Sequence, residues 1–283
     1  MILDVFINPL SAERRPWQMF FLGIIFFSLA IILSLVVFTK QASLVTVFLT
    51  VLASFPIIYN TVKLEERKDE DIVGEKALLK EHSKALEVFM FLFLGVMVSA
   101  ILWYIFLPSG HIQNVFSTQI ETISSINSTP IGHITFSNNA LSVIFLNNLR
   151  VLSICILFSF LYGVGAMFIL TWNATVIAAA VGIFVRENLA NIGQQIGSVS
   201  IWNYFHLFSV GILKYMIHGV FEIMAYFVAA LAGGIISVAI IRHIMGTEKF
   251  ERIIFDASGL IIISVILLFI SALIEVFITP KFF

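Results

Sequence analysis

The chain has 283 residues, of which 60% are hydrophobic and only 12% are charged, and its mean hydropathy is +1.04. A water-soluble domain could not bury so much apolar surface, so the composition indicates an integral membrane protein built from transmembrane helices. The net charge of −1 argues against nucleic acid as a partner. The single cysteine, Cys155, excludes a disulfide framework and a cysteine-based metal site.

The N-terminal part, residues 1–87, is predicted to hold two membrane-spanning helices and a charged cytoplasmic segment. Apolar stretches at 17–38 and 42–59 each have about the length that a span requires. Between residues 60 and 87 the composition changes to mixed charge. This change predicts a short, solvated helical hairpin or a surface helix.

Residues 88–283 are predicted to form the transmembrane core. Its spans are expected at 88–107, 141–171, 215–241 and 260–278. The apolar pieces 174–185 and 201–213 are each too short to cross a hydrocarbon core of about 30 Å alone. The whole chain therefore forms an all-α, polytopic bundle with about seven spans, or with six spans and a re-entrant segment.

The distribution of basic residues sets the expected orientation. The 60–87 segment carries six Lys and Arg residues, whereas the polar loop at 108–139 carries none. Because cytoplasmic loops are enriched in basic residues, the N-terminus, 60–87 and the loop at 242–256 are predicted to be cytoplasmic. The 108–139 loop and the C-terminus then lie outside, as in a multi-pass protein of the cell membrane.

Three ionisable residues, His218, Glu222 and Glu275, are predicted to lie at membrane depth. Such residues are costly in lipid, so they mark a candidate functional site. His218 and Glu222 are one helical turn apart near the start of a span, and Glu275 lies near the end of the next span. In an antiparallel pair these ends meet on the same side, with both carboxylates roughly 7–12 Å below the interface.

Further polar residues, Asn147, Asn148 and Arg150, lie at the outer end of the fourth span and are expected to join this cluster. Such a set can bind a divalent metal ion, relay protons, or hold the bundle together. The His-x-x-x-Glu spacing puts two ligand types on one helical face, so the candidate metal ligands are His218, Glu222 and Glu275.

Small residues continue the same helical face toward the cytoplasm. Ala225, Ala229, Gly233 and Ser237 follow at steps of four residues. Small residues at this spacing allow another helix to approach closely, so the face is predicted to contact protein. Phe227, on a different face of the same helix, is predicted to contact lipid.

Several motifs between residues 141 and 278 resemble the stage II sporulation protein M family. They are Asn147-Asn148, Tyr162-Gly163-Val164-Gly165, Trp172-Asn173, the His218-Gly219-x-x-Glu222 element, the small-residue run 229–234 and an acidic residue in the last span. In spore-forming bacteria the family's namesake belongs to a membrane complex that acts with cell-wall hydrolases during engulfment. The resemblance implies a polytopic membrane protein with partners among membrane or cell-envelope proteins.

Three functions fit these features. The first is a membrane scaffold or assembly component. The second is a transporter or channel in which interrupted helices at 174–185 and 201–213 line a cavity. The third is a membrane-embedded, metal-dependent hydrolase, with Glu222 or Glu275 as general base and His218 as a metal ligand. No complete catalytic signature identifies the catalytic residues, and a homo-oligomer is compatible with all three functions.

Overall fold

The computed structural model describes residues 9–71, 75–128, 140–160, 164–241 and 246–282. Within these ranges the chain is helical and contains no β-strand. Two short 3-10 helices lie at Thr39–Gln41 and Thr279–Lys281. The α-helices are α1 (Pro9–Arg14), α2 (Trp17–Val37), α3 (Ala42–Asp71), α4 (Glu75–Phe106), α5 (Ser109–Val115), α6 (Ser117–Ser128), α7 (Ala140–Ser159), α8 (Val164–Ile196), α9 (Ile201–Ile241) and α10 (Glu248–Phe277).

Seven of the described helices are long and apolar enough to cross a membrane, namely α2, α3, α4, α7, α8, α9 and α10. The predicted all-α transmembrane bundle is therefore confirmed, with seven spans. The segment after residue 108, which the sequence suggested to be a loop, contains the short helices α5 and α6. Residues 129–139 lie outside the described part of the chain.

The prediction of interrupted helices at 174–185 and 201–213 is wrong. Residues 174–185 lie in the middle of α8, which has 33 residues, and 201–213 form the first third of α9, which has 41. The polar residues near 186 do not end α8, because Arg186 donates hydrogen bonds to the Leu107 carbonyl at 3.1 Å and to the Ser109 hydroxyl at 3.2 Å. Arg186 thereby satisfies a free carbonyl at the end of α4.

The span predicted at 141–171 is present but shorter, because its helix ends at Ser159 and a new helix begins at Val164. Gly165, in the first turn of α8, packs directly against the end of α7. A Cβ atom at this position would overlap the Phe158 carbonyl oxygen. Glycine therefore lets α8 begin in close contact with the helix that precedes it.

Helix α9 is the most deeply buried span. In the most apolar 18-residue stretch of α9, 83% of the residues are buried, whereas the corresponding share is 17% in α7 and 22% in α10. The small residues Ala225, Ala229, Gly233 and Ser237 are all buried. A Cβ atom at Gly233 would overlap the Ser159 side chain, and the Ser237 hydroxyl donates a hydrogen bond to the Phe160 carbonyl at 2.6 Å. Helices α7 and α9 therefore make their closest contact here.

Phe227 was predicted to face lipid, and this prediction is wrong. Its side chain is only 1% exposed and packs edge-to-face on Phe93 of α4, with ring centroids 5.7 Å apart. The reason is that α9 is covered on more than one side, by α7 along its small residues and by α4 along Phe227.

The charged segment at 60–87 is helical, as the sequence suggested, but its described part is not solvated throughout. It consists of the ends of α3 and α4, which continue beyond the apolar parts of these spans. Glu65, Glu66 and His82 are buried, with exposed fractions of 2% or less. Lys68 and His82 both contact the buried Glu65 carboxylate, so its charge is balanced within the segment.

A network of ion pairs joins α1 to the ends of α3 and α4. The Lys68 ammonium lies 2.8 Å from a Glu13 carboxylate oxygen, 2.7 Å from one of Glu65 and 3.3 Å from one of Glu81. His82 Nδ1 lies 2.7 Å from the second Glu65 oxygen. Burial raises the pKa of Glu13 to about 7, because the loss of solvent outweighs the effect of Lys68. The network thus attaches α1 to the bundle through the Glu13 carboxyl group, whose protonation changes near neutral pH.

We predict that Gly233→Ala destabilises the protein by about 1–3 kcal/mol, because the added methyl group overlaps Ser159. Ser159→Gly should restore part of this loss in the double variant. The measurement is the free energy of unfolding in detergent. Gly259→Ala in α10 is the matched control, since a Cβ atom there meets nothing within 4 Å. Equal tolerance of alanine at both positions would show that α7 and α9 are not in close contact.

We also predict that α1 binds the bundle more weakly as the pH rises. The folded pKa of Glu13, about 7, lies above its ordinary value of 4.5. The contribution of Glu13 to docking is therefore complete below about pH 4.5 and is lost as the pH passes 7. Hydrogen exchange of residues 9–15, corrected for its intrinsic pH dependence, measures this change. Glu13→Gln should remove the dependence, whereas Glu81→Gln should keep it, and constant protection in the wild type would contradict the prediction.

Candidate functional site

Helices α9 and α10 form the framework of the candidate site. They pack against each other along their length as an antiparallel pair, joined by a short connection. The Ser271 hydroxyl of α10 donates a hydrogen bond of 2.9 Å to the His218 carbonyl of α9. This bond fixes the register between the two helices, so that the last turn of α10 lies beside the His218 turn of α9.

The structure brings the three ionisable residues His218, Glu222 and Glu275 together. One possible ligand atom from each residue lies within 4.8 Å of those from the other two. All three residues are half-buried. Two of them come from α9 and one from α10, so the cluster joins the two helices at one depth.

Two further side chains bind the cluster, and the sequence had not indicated either. The Tyr226 hydroxyl donates a hydrogen bond of 2.7 Å to Oε1 of Glu222. The Thr279 hydroxyl lies 3.3 Å from Nδ1 of His218. Tyr226 follows Glu222 by four residues, a spacing that could have revealed it. Thr279 lies beyond the end of α10, where no helical periodicity marks it.

The residues of α7 are divided between two faces of that helix. Asn148 is buried, together with Leu152, Cys155 and Ser159, at steps of three or four residues. Asn147 and Arg150 are exposed. Among the described residues, no ion pair joins Arg150 to either carboxylate of the cluster. Of the three predicted α7 residues, only Asn148 therefore faces the inside of the bundle.

The arrangement permits three kinds of chemistry. Two carboxylates and an imidazole can bind a divalent cation, share protons, or crosslink two helices by hydrogen bonds. Among the described residues, no Lys or Arg forms an ion pair with Glu222 or Glu275. The negative charge of the cluster must therefore be balanced by protons or by a bound cation, because two unpaired carboxylates at membrane depth are costly.

Comparisons with known proteins agree with the sequence motifs. Residues 88–280 match the family "Stage II sporulation protein M". The match begins at the third span, well before residue 141, where the motifs begin. The chain is also 32% identical over 170 residues to an uncharacterized protein of Methanocaldococcus jannaschii, covering 57% of this chain and 84% of that protein.

No solved structure matches the chain. The matched region contains the four spans α7 to α10 and most of α4, and it includes all six residues proposed for the polar cluster. It amounts to more than half of the sequence, and it holds the helix pair that carries His218, Glu222 and Glu275. The chain is a multi-pass membrane protein that belongs to the stage II sporulation protein M family.

Proposed function

We propose that this protein is an assembly component of a membrane protein complex and that α7 is its docking helix. The observation that supports the proposal is the position of Arg150, an exposed cation in a membrane-spanning helix. The partner is a transmembrane helix of another protein that carries an Asp or Glu at the same depth.

The depth of Arg150 follows from the length of α7. This helix has 20 residues, about 30 Å at 1.5 Å per residue, which equals the thickness of the hydrocarbon core. Arg150 is the eleventh residue and therefore lies near the middle of the membrane. An arginine at the centre of a span costs about 2.5–3.5 kcal/mol on insertion scales. A partner carboxylate would offset this cost.

The surroundings of Arg150 support a docking face. Asn147, Ser153 and Ile154 are also exposed, and Leu157, seven residues after Arg150, is 66% exposed. In its most apolar window α7 is only 17% buried, the smallest share of any span. The helix thus presents a face with a polar centre and apolar ends, which suits contact with another helix better than contact with lipid.

A second copy of this chain is a poor partner for the docking face. The acidic residues predicted to lie at membrane depth are Glu222 and Glu275, and these two belong to the cluster between α9 and α10. In a two-fold symmetric dimer through α7, the two Arg150 side chains would repel each other. Charge complementarity therefore favours a different membrane protein.

The orientation is part of the proposal. The basic residues at 60–87 favour a cytoplasmic N-terminus, which places the polar cluster and Thr279 in the outer half of the membrane. The transporter hypothesis loses its argument, since α8 and α9 are continuous helices. The hydrolase hypothesis requires a metal ion bound to His218, Glu222 and Glu275.

Photo-crosslinking in the membranes of the source cells tests the docking proposal. A photoreactive phenylalanine analogue replaces Leu157 on the docking face or, as the control, Leu29 of α2, which is 60% exposed. We expect position 157 to crosslink to one membrane protein and position 29 to crosslink to lipid alone. Arg150→Leu should reduce the protein crosslink at least ten-fold without changing the unfolding temperature, and Arg150→Lys should retain it.

A charge exchange then identifies the interaction. If the crosslinked partner carries a transmembrane Asp or Glu, its replacement by Arg together with Arg150→Glu should restore the crosslink. Crosslinks between two copies of this chain, or equal behaviour of positions 157 and 29, would contradict the proposal.

A further inference from the structure

The geometry points to a divalent metal site at the outer end of the α9 and α10 pair, formed by His218, Glu222 and Glu275 and suited to Zn²⁺. This inference goes beyond the docking role of α7 and depends on different residues. The ion would connect the last turn of α10 to α9 and would neutralise the two carboxylates.

The spacing of the ligand atoms fits one ion. Zinc binds imidazole nitrogen and carboxylate oxygen at about 2.0–2.2 Å, so ligands of a tetrahedral site lie roughly 3.3–3.6 Å apart. The atoms of His218, Glu222 and Glu275 lie within 4.8 Å of one another. Side-chain rotations that move the ligand atoms by about an ångström would bring them to the separation that a tetrahedral zinc site requires. No movement of the helices is needed, because the hydrogen bond from Ser271 already fixes their register.

The charge of the cluster independently favours a cation. Glu222 and Glu275 lie at membrane depth, and among the residues that the structure describes neither forms an ion pair with Lys or Arg. Tyr226 donates a hydrogen bond to one Glu222 oxygen only. A divalent ion would neutralise both carboxylates at once and would turn their mutual repulsion into shared binding.

The Thr279 hydroxyl orients the His218 ring for metal binding. The Thr279 hydroxyl lies 3.3 Å both from the Ile274 carbonyl and from Nδ1 of His218. When the hydroxyl donates its proton to the Ile274 carbonyl, which can only accept, it accepts from the N–H of Nδ1. The lone pair of His218 is then on Nε2, free to bind a metal, and the ring is held in place as in metal sites where the second nitrogen is hydrogen-bonded.

The ligand types select the ion. Ca²⁺ and Mg²⁺ prefer sites made of oxygen alone, whereas one imidazole and two carboxylates suit Zn²⁺ and related transition metals. Three protein ligands leave the fourth position of a tetrahedral site open. A water molecule would occupy that position, and the hydrolase hypothesis would require this water as its nucleophile.

Metal binding by the purified full-length protein tests the inference. The protein, with any affinity tag removed, is stripped with a chelator, dialysed against Zn²⁺, and its zinc content is measured by elemental analysis. We expect one Zn²⁺ per chain in the wild type and at least ten-fold weaker binding by His218→Ala and Glu275→Gln. His206→Ala is the matched control, an exposed histidine of the same helix, and should bind zinc as the wild type does.

Two further measurements keep the test decisive if a ligand variant fails to fold. Thr279→Val removes only the partner of His218, and its zinc affinity should fall about ten- to a hundred-fold. Co²⁺ in place of Zn²⁺ should give the visible absorption of a tetrahedral site in the wild type. The absence of bound zinc in the wild type, or equal zinc content in wild type and His218→Ala, would overturn the inference while leaving the α7 docking proposal intact.

Discussion

The close approach of α7 to α9 at Ser159 and Gly233 is the contact on which the rest of the structure depends. In lipid no hydrophobic force drives helices together, so their association rests on packing of small residues and on hydrogen bonds. Gly233 and Ala229 allow this packing, and α9 becomes the most buried span. The polar residues His218 and Glu222 of the same helix are therefore held among helices. Between helices these side chains can bind one another or a ligand, whereas exposure of the same side chains to lipid would be energetically costly.

The polar groups at membrane depth are arranged in two ways. His218, Glu222 and Glu275 face one another inside the bundle, where each can be balanced locally. Arg150 faces away from the bundle, and among the described residues no acidic side chain forms an ion pair with it. The first arrangement suits an ion bound within this chain, and the second suits contact with a helix of a partner protein. A protein that binds an ion between two helices and docks through a third agrees with an assembly role in the membrane.

Hydropathy and helical periodicity predicted the number of spans and placed His218 and Glu222 beside Glu275, because both depend on local sequence. They failed where a polar residue is used by a distant element. The apolar piece 174–185 was taken as a separate short element, but α8 continues through Arg186, which donates a hydrogen bond to the Leu107 carbonyl just after α4, and no local pattern reveals this. Asn148, which was expected to join the polar cluster, is buried in α7. The exposure of Arg150 could not be derived from the sequence. Its spacing of three residues from Asn147 indicates that the two share a helical face, but it does not indicate whether that face points toward the bundle or away from it.

A double-mutant cycle on the two carboxylates tests most directly whether they share one site. The free energy of unfolding is measured in detergent for Glu222→Gln, Glu275→Gln and the double variant. The effects should differ from additivity by more than about 0.5 kcal/mol, since each carboxylate changes the charge and the ligands available to the other. Glu222→Gln combined with Glu121→Gln, an exposed residue of α6, should be additive. Additivity in both pairs would contradict a shared site between α9 and α10.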